Sequence, residues 1–137
     1  MAAISWVPQL ETGIEVIDKQ HRRWVEIYNA LDAAVQAGRE EDALTKALTD
    51  LVEYSRYHFR TEEALMERAS YDEEEFDLHR REHKVFTDQV VIYQDRATAG
   101  FQKLTPQVMA YLRDWLLAHV TGTDRGYITP LREAGIA

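Results

Sequence analysis

Four stretches of this 137-residue chain place apolar residues alternately three and four apart, and that period admits one kind of secondary structure. Residues at this spacing stack on one face of an α-helix, whereas a strand needs strict alternation, which no stretch here sustains. The first seam is Ile17, His21, Trp24, Tyr28, Leu31 and Val35. The second is Leu44, Leu48, Leu51, Ser55, His58, Glu62 and Leu65; the third is Phe76, His79, His83, Phe86, Val90 and Tyr93; the fourth is Val108, Leu112, Trp115 and His119. Glycine and proline are scarce and fall between these segments. The pattern predicts helices over about residues 18–37, 41–68, 70 to 97–100, and 106–120. Gly38 supplies the residue type favoured just past a helix end. Ser70 and Glu73 have the capping-box spacing for the start of the third helix, and Thr105 with Pro106 offers a cap and a first-turn proline for the fourth. Four amphipathic helices joined by short turns predict an all-α fold, an antiparallel up-down-up-down four-helix bundle behind an extended N-terminal arm. One domain over 1–137 is the expectation, with the arm at 1–17, the bundle at 18–128 and a C-terminal tail at 129–137.

Composition removes several function classes. With 24 Asp+Glu against 16 Lys+Arg the net charge is −8, the wrong sign for a surface that tracks phosphates, so nucleic acid is not an expected partner. The absence of cysteine excludes thiolate zinc sites, iron–sulfur clusters, cysteine nucleophiles and disulfides together. Apolar runs such as Trp115-Leu116-Leu117-Ala118 fall far short of the roughly 20 residues that cross a bilayer. The first twelve residues show no basic stretch followed by an apolar core. The expectation is a cytoplasmic protein without membrane insertion.

All five histidines fall on the seams, where leucines would serve a plain core. If histidines were scattered over helix positions, with about two sevenths facing inward, that placement would have a probability of about 0.002. A buried imidazole without a partner forfeits about 1–3 kcal/mol, and a buried carboxylate such as Glu62 more. Six such groups need a common partner, and a metal supplies one. His58 and Glu62 are four apart, as are His79 and His83, so each pair differs by about 40° around its helix and about 6 Å along it. His119 and Asp124 are five apart, about 140° around an ideal helix. Asp124 therefore joins the seam only if the backbone changes pitch at Thr121-Gly122-Thr123, as a π-like turn or a helix end; otherwise it is a surface acid. Five imidazoles and two carboxylates exceed the four ligands of a tetrahedral zinc, and two metals are the natural count. If Glu62 and Asp124 each bridge, the residues supply nine bonds and a bridging oxide or hydroxide two more, one short of the twelve that two octahedra need. Mixed imidazole and carboxylate ligation with an open position suits iron, with manganese, cobalt or zinc as alternatives.

The full set, His21, then His58-x3-Glu62, His79-x3-His83 and His119-x4-Asp124 on successive helices, resembles the hemerythrin family in its single-domain bacterial form. Gly13-Ile14 with Ile17-Asp18-x-Gln20-His21 is similar to the family's opening motif, Trp6 to the aromatic of its arm, and Tyr127 to an aromatic near the bridge. The resemblance spans roughly Trp6 to Tyr127. It implies two iron ions, bridged by oxo or hydroxo, that bind O2 reversibly. On that resemblance His79, His83 and His119 hold the filled iron, His21 and His58 hold the iron with the vacancy, and Glu62 and Asp124 bridge. Where the family often carries an aliphatic residue three after the first histidine, this chain has Trp24.

The expected function is O2 carriage, storage or delivery, with an O2-consuming enzyme as a candidate recipient. Bundle di-iron oxygenases use about four carboxylates and two histidines, a pattern absent here, so binding is expected rather than catalysis. The competing readings are a di-iron oxidase or a peroxide or nitric oxide reductase, and an oxygen sensor acting through a partner protein. Reversible binding needs a dry pocket, and Trp24, Phe59, Trp115 and Leu116 lie within a turn of ligands, as pocket wall or as ordinary core. The acidic run from Asp72 to Glu75 reads as a solvated first turn at a positive helix end.

Overall fold

The computed structural model describes residues 3–100 and 103–137; the first two residues of the expected arm, and 101–102 in the turn before the fourth helix, lie outside the described residues. Four long helices, α1 (Glu15–Gln36), α2 (Glu41–Arg68), α3 (Glu73–Thr98) and α4 (Pro106–Thr121), are followed by a short α5 (Ile128–Glu133). Single 3-10 segments occupy Pro8–Leu10 and Thr123–Tyr127, and no strand occurs among the described residues. α1 packs along α2, α2 along α3, and α4 against α1. This is the antiparallel bundle the periodicity predicts. The inner seam is buried along α1, from Ile17 through His21, Trp24 and Tyr28 to Leu31.

α1 starts earlier than the pattern predicts, and Asp18 explains why. Its carboxylate lies inside the first turn and accepts hydrogen bonds from Thr12 N and Thr12 Oγ1, both at 2.7 Å, and from Gly13 N at 3.0 Å. Reaching back, it folds the arm onto the helix start and satisfies backbone donors that would otherwise be orphaned. Gly13 adopts φ +81°, and a Cβ there would meet the guanidinium of Arg132.

The junction of α2 and α3 corrects the capping-box expectation. Ser70 sits at φ +52°, the left-handed region, and terminates α2 rather than opening α3. Its N–H donates to Glu67 O at 3.1 Å and that of Tyr71 donates to Met66 O at 3.0 Å, the paired bonds of a Schellman end. Met66 and Tyr71 pack in the same apolar cluster, the contact that accompanies this motif. Asp72 caps α3 instead, accepting from Glu75 N at 3.1 Å, and Glu73, Glu74 and Glu75 stand exposed in the first turn. α4 opens as expected: Thr105 Oγ1 accepts from Val108 N and Pro106 occupies the first turn.

The C-terminal segment is more than a tail. α5 brings Leu131 and Ile136 into a small apolar cluster with Ile14, Ile17, Met66 and Tyr127. The arm is likewise tied down. Ile4 N donates to Asn29 Oδ1 at 2.8 Å and Asn29 Nδ2 to Ile4 O at 2.9 Å. Trp6 Nε1 donates to Glu11 Oε1 at 2.8 Å beneath the Arg22 guanidinium. Arg125 donates to the carbonyls of Glu11 and Gln9. A larger cluster, from Trp24 and Phe59 to Leu31, Leu48 and Val108, fills the rest of the bundle.

Replacing Asp18 by Asn should cost about 1–2 kcal/mol at neutral pH, the loss of charge-assisted bonds to the arm. Burial pushes the Asp18 carboxyl up, but the donors from Thr12 and Gly13 hold it below the usual carboxylate range. A depressed folded-state value gives stability that is present above the unfolded value of about 4 and is lost as pH falls through the folded one. Thermal melts of both proteins should therefore show a gap at pH 7 that narrows toward pH 3; a gap independent of pH would count against this role.

Candidate metal centre

The polar residues on the seams meet near one end of the bundle. His21 lies near the start of α1 and His79 and His83 near the start of α3, whereas His58 and Glu62 lie near the end of α2 and His119 near the end of α4. Antiparallel helices bring those ends to one level. All six are buried, each at 3% exposure or less.

Asp124 joins them because α4 stops. The helix ends at Thr121, Gly122 turns the chain at φ −115° and ψ −83°, and a 3-10 segment runs through Thr123–Tyr127. Of the two routes that would bring Asp124 to the seam, the helix end is the one observed. Gly122 is required sterically, since a Cβ would lie 2.8 Å from the Ala118 carbonyl oxygen, a backbone atom that cannot swing away. Asp124 is fully buried.

The ligand atoms form two groups that share both carboxylates. Glu62, His79, His83, His119 and Asp124 offer atoms all within 4.8 Å of one another, and so do His21, His58, Glu62 and Asp124. Asp124 divides its oxygens: Oδ1 lies 3.0 Å from both His79 Nε2 and His119 Nε2, and Oδ2 lies 3.1 Å from His21 Nε2. Glu62 Oε1 lies 3.0 Å from His58 Nε2 and 3.4 Å from His83 Nε2. Several of these atoms are close yet poorly directed. His21 Nε2, His58 Nε2, His79 Nε2, Glu62 Oε1 and both Asp124 oxygens are buried without a hydrogen bond. Atoms about 3 Å apart that do not point at one another converge on a shared point, and neutral imidazole and carboxylate donors of this kind suit a transition-metal cation.

The charges follow from the same crowding. Burial opposes ionisation of Asp124, but the surrounding His119, His21 and His79 hold its carboxyl well below the ordinary range. Glu62 is held low as well, against its own burial and the repulsion of Asp124, by His58 and His83. Burial works against a charge on His119, yet Asp124 and Glu82 lift it to about 10. His83 is raised by Glu62 and Glu63 in spite of burial, whereas for His58 burial dominates and its value falls. A metal takes neutral imidazoles, so its uptake expels protons from this cage.

Residues 12–131 match the Hemerythrin HHE cation binding domain. The chain belongs to the hemerythrin family. It is 37% identical to a Bacteriohemerythrin of Pseudomonas aeruginosa over 134 residues, covering 98% of this chain and 85% of that protein. It is 37% identical to one of Stenotrophomonas maltophilia, covering 93% and 80%. A crystal structure of wild-type hemerythrin superposes with a TM-score of 0.87 at 27% identity, covering 95% of this chain and 98% of that one. The cage thus belongs to a hemerythrin-type cation-binding protein, and no described helix is long and apolar enough to cross a membrane.

Around the cage the chain carries outer partners that the seam pattern does not reveal. Gln20 Oε1 lies 2.8 Å from His58 Nδ1, Glu63 Oε2 lies 2.8 Å from His83 Nδ1, and Glu82 Oε1 lies 3.1 Å from His119 Nδ1. Thr123 Oγ1 donates to that same Glu82 oxygen at 2.7 Å. Tyr127 is fully buried and donates its hydroxyl to Glu62 Oε2 at 2.6 Å. Such bonds fix ring orientation and tautomer. The signal that could have found them is adjacency: Gln20 precedes His21, Glu63 follows Glu62 and Glu82 precedes His83.

The four aromatic and aliphatic candidates all lie against the cage or its wall. Phe59 stacks on His83 at 3.9 Å, Trp115 stacks on His119 at 4.4 Å, and Trp24 sits 5.2 Å from His58. Leu116 is buried in the same cluster, and Trp115 is half-buried. Phe86, seen on the seam but not foreseen in the wall, stacks on Trp115 at 4.2 Å. Trp24 is pinned: its Nε1 donates to Ser55 Oγ at 2.9 Å, and Ser55 Oγ donates to Leu51 O at 2.7 Å.

Gly122→Ala should leave the helices folded while displacing Asp124, lowering metal affinity by about 10–100-fold, the range seen when support of a ligand is lost. Metal content after dialysis, alongside far-ultraviolet circular dichroism, measures it; wild-type retention would show that the turn tolerates a Cβ.

Proposed function

We propose that this hemerythrin binds O2 reversibly at a pair of iron ions, serving carriage, storage or delivery. His79, His83 and His119 hold one iron, His21 and His58 hold the other, and Glu62 and Asp124 are shared. The observation that carries this reading is the division of the ligand atoms into two unequal groups with both carboxylates in common. Three imidazoles against two leaves the His21–His58 side one donor poorer, which is where a small ligand finds room. When bound, the iron pair supplies the two electrons that O2 takes up and gives back.

The protein's own residues favour binding over turnover. Among the described residues only two carboxylates, Glu62 and Asp124, present oxygens to the cage; Glu63 and Glu82 are bonded to the outward nitrogens of His83 and His119. A cage dominated by neutral imidazoles donates less charge to high-valent metal than the carboxylate-rich sites of bundle oxygenases. Trp24, Phe59, Phe86, Trp115 and Leu116 wall it on one side and keep water out, and Tyr127 closes it on the other while holding Glu62 in place.

Ferrous iron added anaerobically should load to two ions per chain and give a colourless protein that colours in air and clears under vacuum. An absorption spectrum with metal analysis reads this directly; colour that never clears, with steady O2 consumption under a reductant, would favour the oxidase reading instead. Trp24→Leu removes the indole held by Ser55 and opens space beside His21 and His58. It should keep its iron but convert to the ferric form faster by about tenfold, a change of about 1.4 kcal/mol in barrier. An unchanged conversion rate would mean Trp24 is core packing alone.

A further inference from the structure

On the outer face between α2 and α3 lies a depression of about 420 Å³ whose floor includes Phe59 and His83 and whose rim carries Arg56, Arg60, Arg80 and Lys84. Two of these cations are answered locally, Arg80 by Asp77 and Lys84 by Asp88 at 2.8 Å. Arg56 and Arg60 form no ion pair with any described residue, and both are exposed. Glu63 and Asp88 also line the basin, so it carries four cations against two carboxylates, an excess of positive charge in a chain of net charge −8.

The floor gives the basin its meaning. His83 turns Nε2 toward the cage, 3.4 Å from Glu62, and Nδ1 outward to Glu63, whose side chain is about one third exposed. One imidazole therefore separates whatever sits in the basin from the proposed iron site, while Phe59 stacked on that ring supplies an apolar seat. His119 likewise turns Nδ1 to Glu82, whose side chain is 45% exposed, while Trp24, Phe86 and Leu116 are buried in the core cluster beside the cage.

We propose that the basin docks a small acidic one-electron carrier protein, which returns the oxidised centre to its ferrous form. This rests on the di-iron reading above. A ferric pair cannot take up O2, so a sealed centre that oxidises needs an external donor. Each encounter passes one electron through His83 and releases one oxidised carrier; two encounters reduce two ferric ions. The unpaired guanidinium groups of Arg56 and Arg60 steer and orient the acidic face, as complementary charge does for transient complexes.

The test uses the iron-loaded ferric protein with reduced flavodoxin, an acidic flavin carrier, as donor and dithionite as a small-molecule control. Reduction by flavodoxin should slow at least about tenfold between low salt and 0.5 M salt, where screening shortens the reach of charge to a few ångströms. Arg56→Glu with Arg60→Glu should slow it about tenfold or more at low salt, Arg56→Lys with Arg60→Lys should restore it, and dithionite should reduce all three alike. Calorimetric titration with oxidised flavodoxin reads docking without electron flow, and binding should weaken in the charge-reversed protein only. A charge-reversed protein reduced and bound by flavodoxin as well as the wild type overturns the proposal, as does a rate indifferent to salt. A chain that holds no iron would sink the di-iron reading, while the titration would still decide the docking.

Discussion

Seven buried polar side chains share a space a few ångströms across, and the rest of the structure is arranged around that fact. Seven of their atoms are buried without hydrogen bonds. At about 1–3 kcal/mol each, such losses together rival the whole stability of a domain of this size. The cage reduces the penalty in two ways. Ion contacts at 3.0–3.1 Å set imidazoles against carboxylates, and each outward nitrogen of His58, His83 and His119 has its own partner. What is left is a set of lone pairs aimed at common points, so a bound cation contributes to folding as well as to function.

The outer partners follow a rule set by bundle geometry. Gln20 of α1 serves His58 of α2, Glu63 of α2 serves His83 of α3, and Glu82 of α3 serves His119 of α4. In each case the supporting residue is the chain neighbour of a ligand on the preceding helix. A residue next to a seam position is turned about 100° from it, which aims it along the interface with the adjacent helix. The series breaks at α1: His21 Nδ1 has no partner among the described residues. That imidazole belongs to the group with fewer nitrogens.

These particulars explain what the amino-acid order reveals and what it hides. Period and punctuation disclose the four helices, because each seam had to bury itself on its neighbours, and the histidines stand out because a core of that kind has no use for them. Asp124 is legible only as a conditional, since five residues leave the seam unless the helix ends, and Gly122 ends it. Ser70 misleads because capping-box spacing is equally compatible with a residue that closes the helix before. The left-handed turn that lets Tyr71 meet Met66 wins there, and Asp72 inherits the cap. Asp18 reads as a helix start, yet it is an interior anchor that reaches back to Thr12. Gln20, Glu63 and Glu82 are hidden for a different reason: their partners lie on other helices, and only packing decides which neighbour a flanking side chain meets.

His83 shows how one residue can reconcile a dry interior with access from outside. Its ring is 3% exposed, stacked on Phe59 and hydrogen-bonded to Glu63, and its Nε2 faces the cage. Yet the opposite edge of the same ring lines a surface depression. Bulk water needs a path of contiguous space, whereas an electron needs only short distance through bonded or packed atoms. For the proposed centre, which must exclude the first and admit the second, one aromatic ring below the surface is a favourable place. On the α2–α3 face Phe59 and His83 form a single stacked layer, while Trp24 of α1, Phe86 of α3 and Trp115 of α4 pack together into a thicker one.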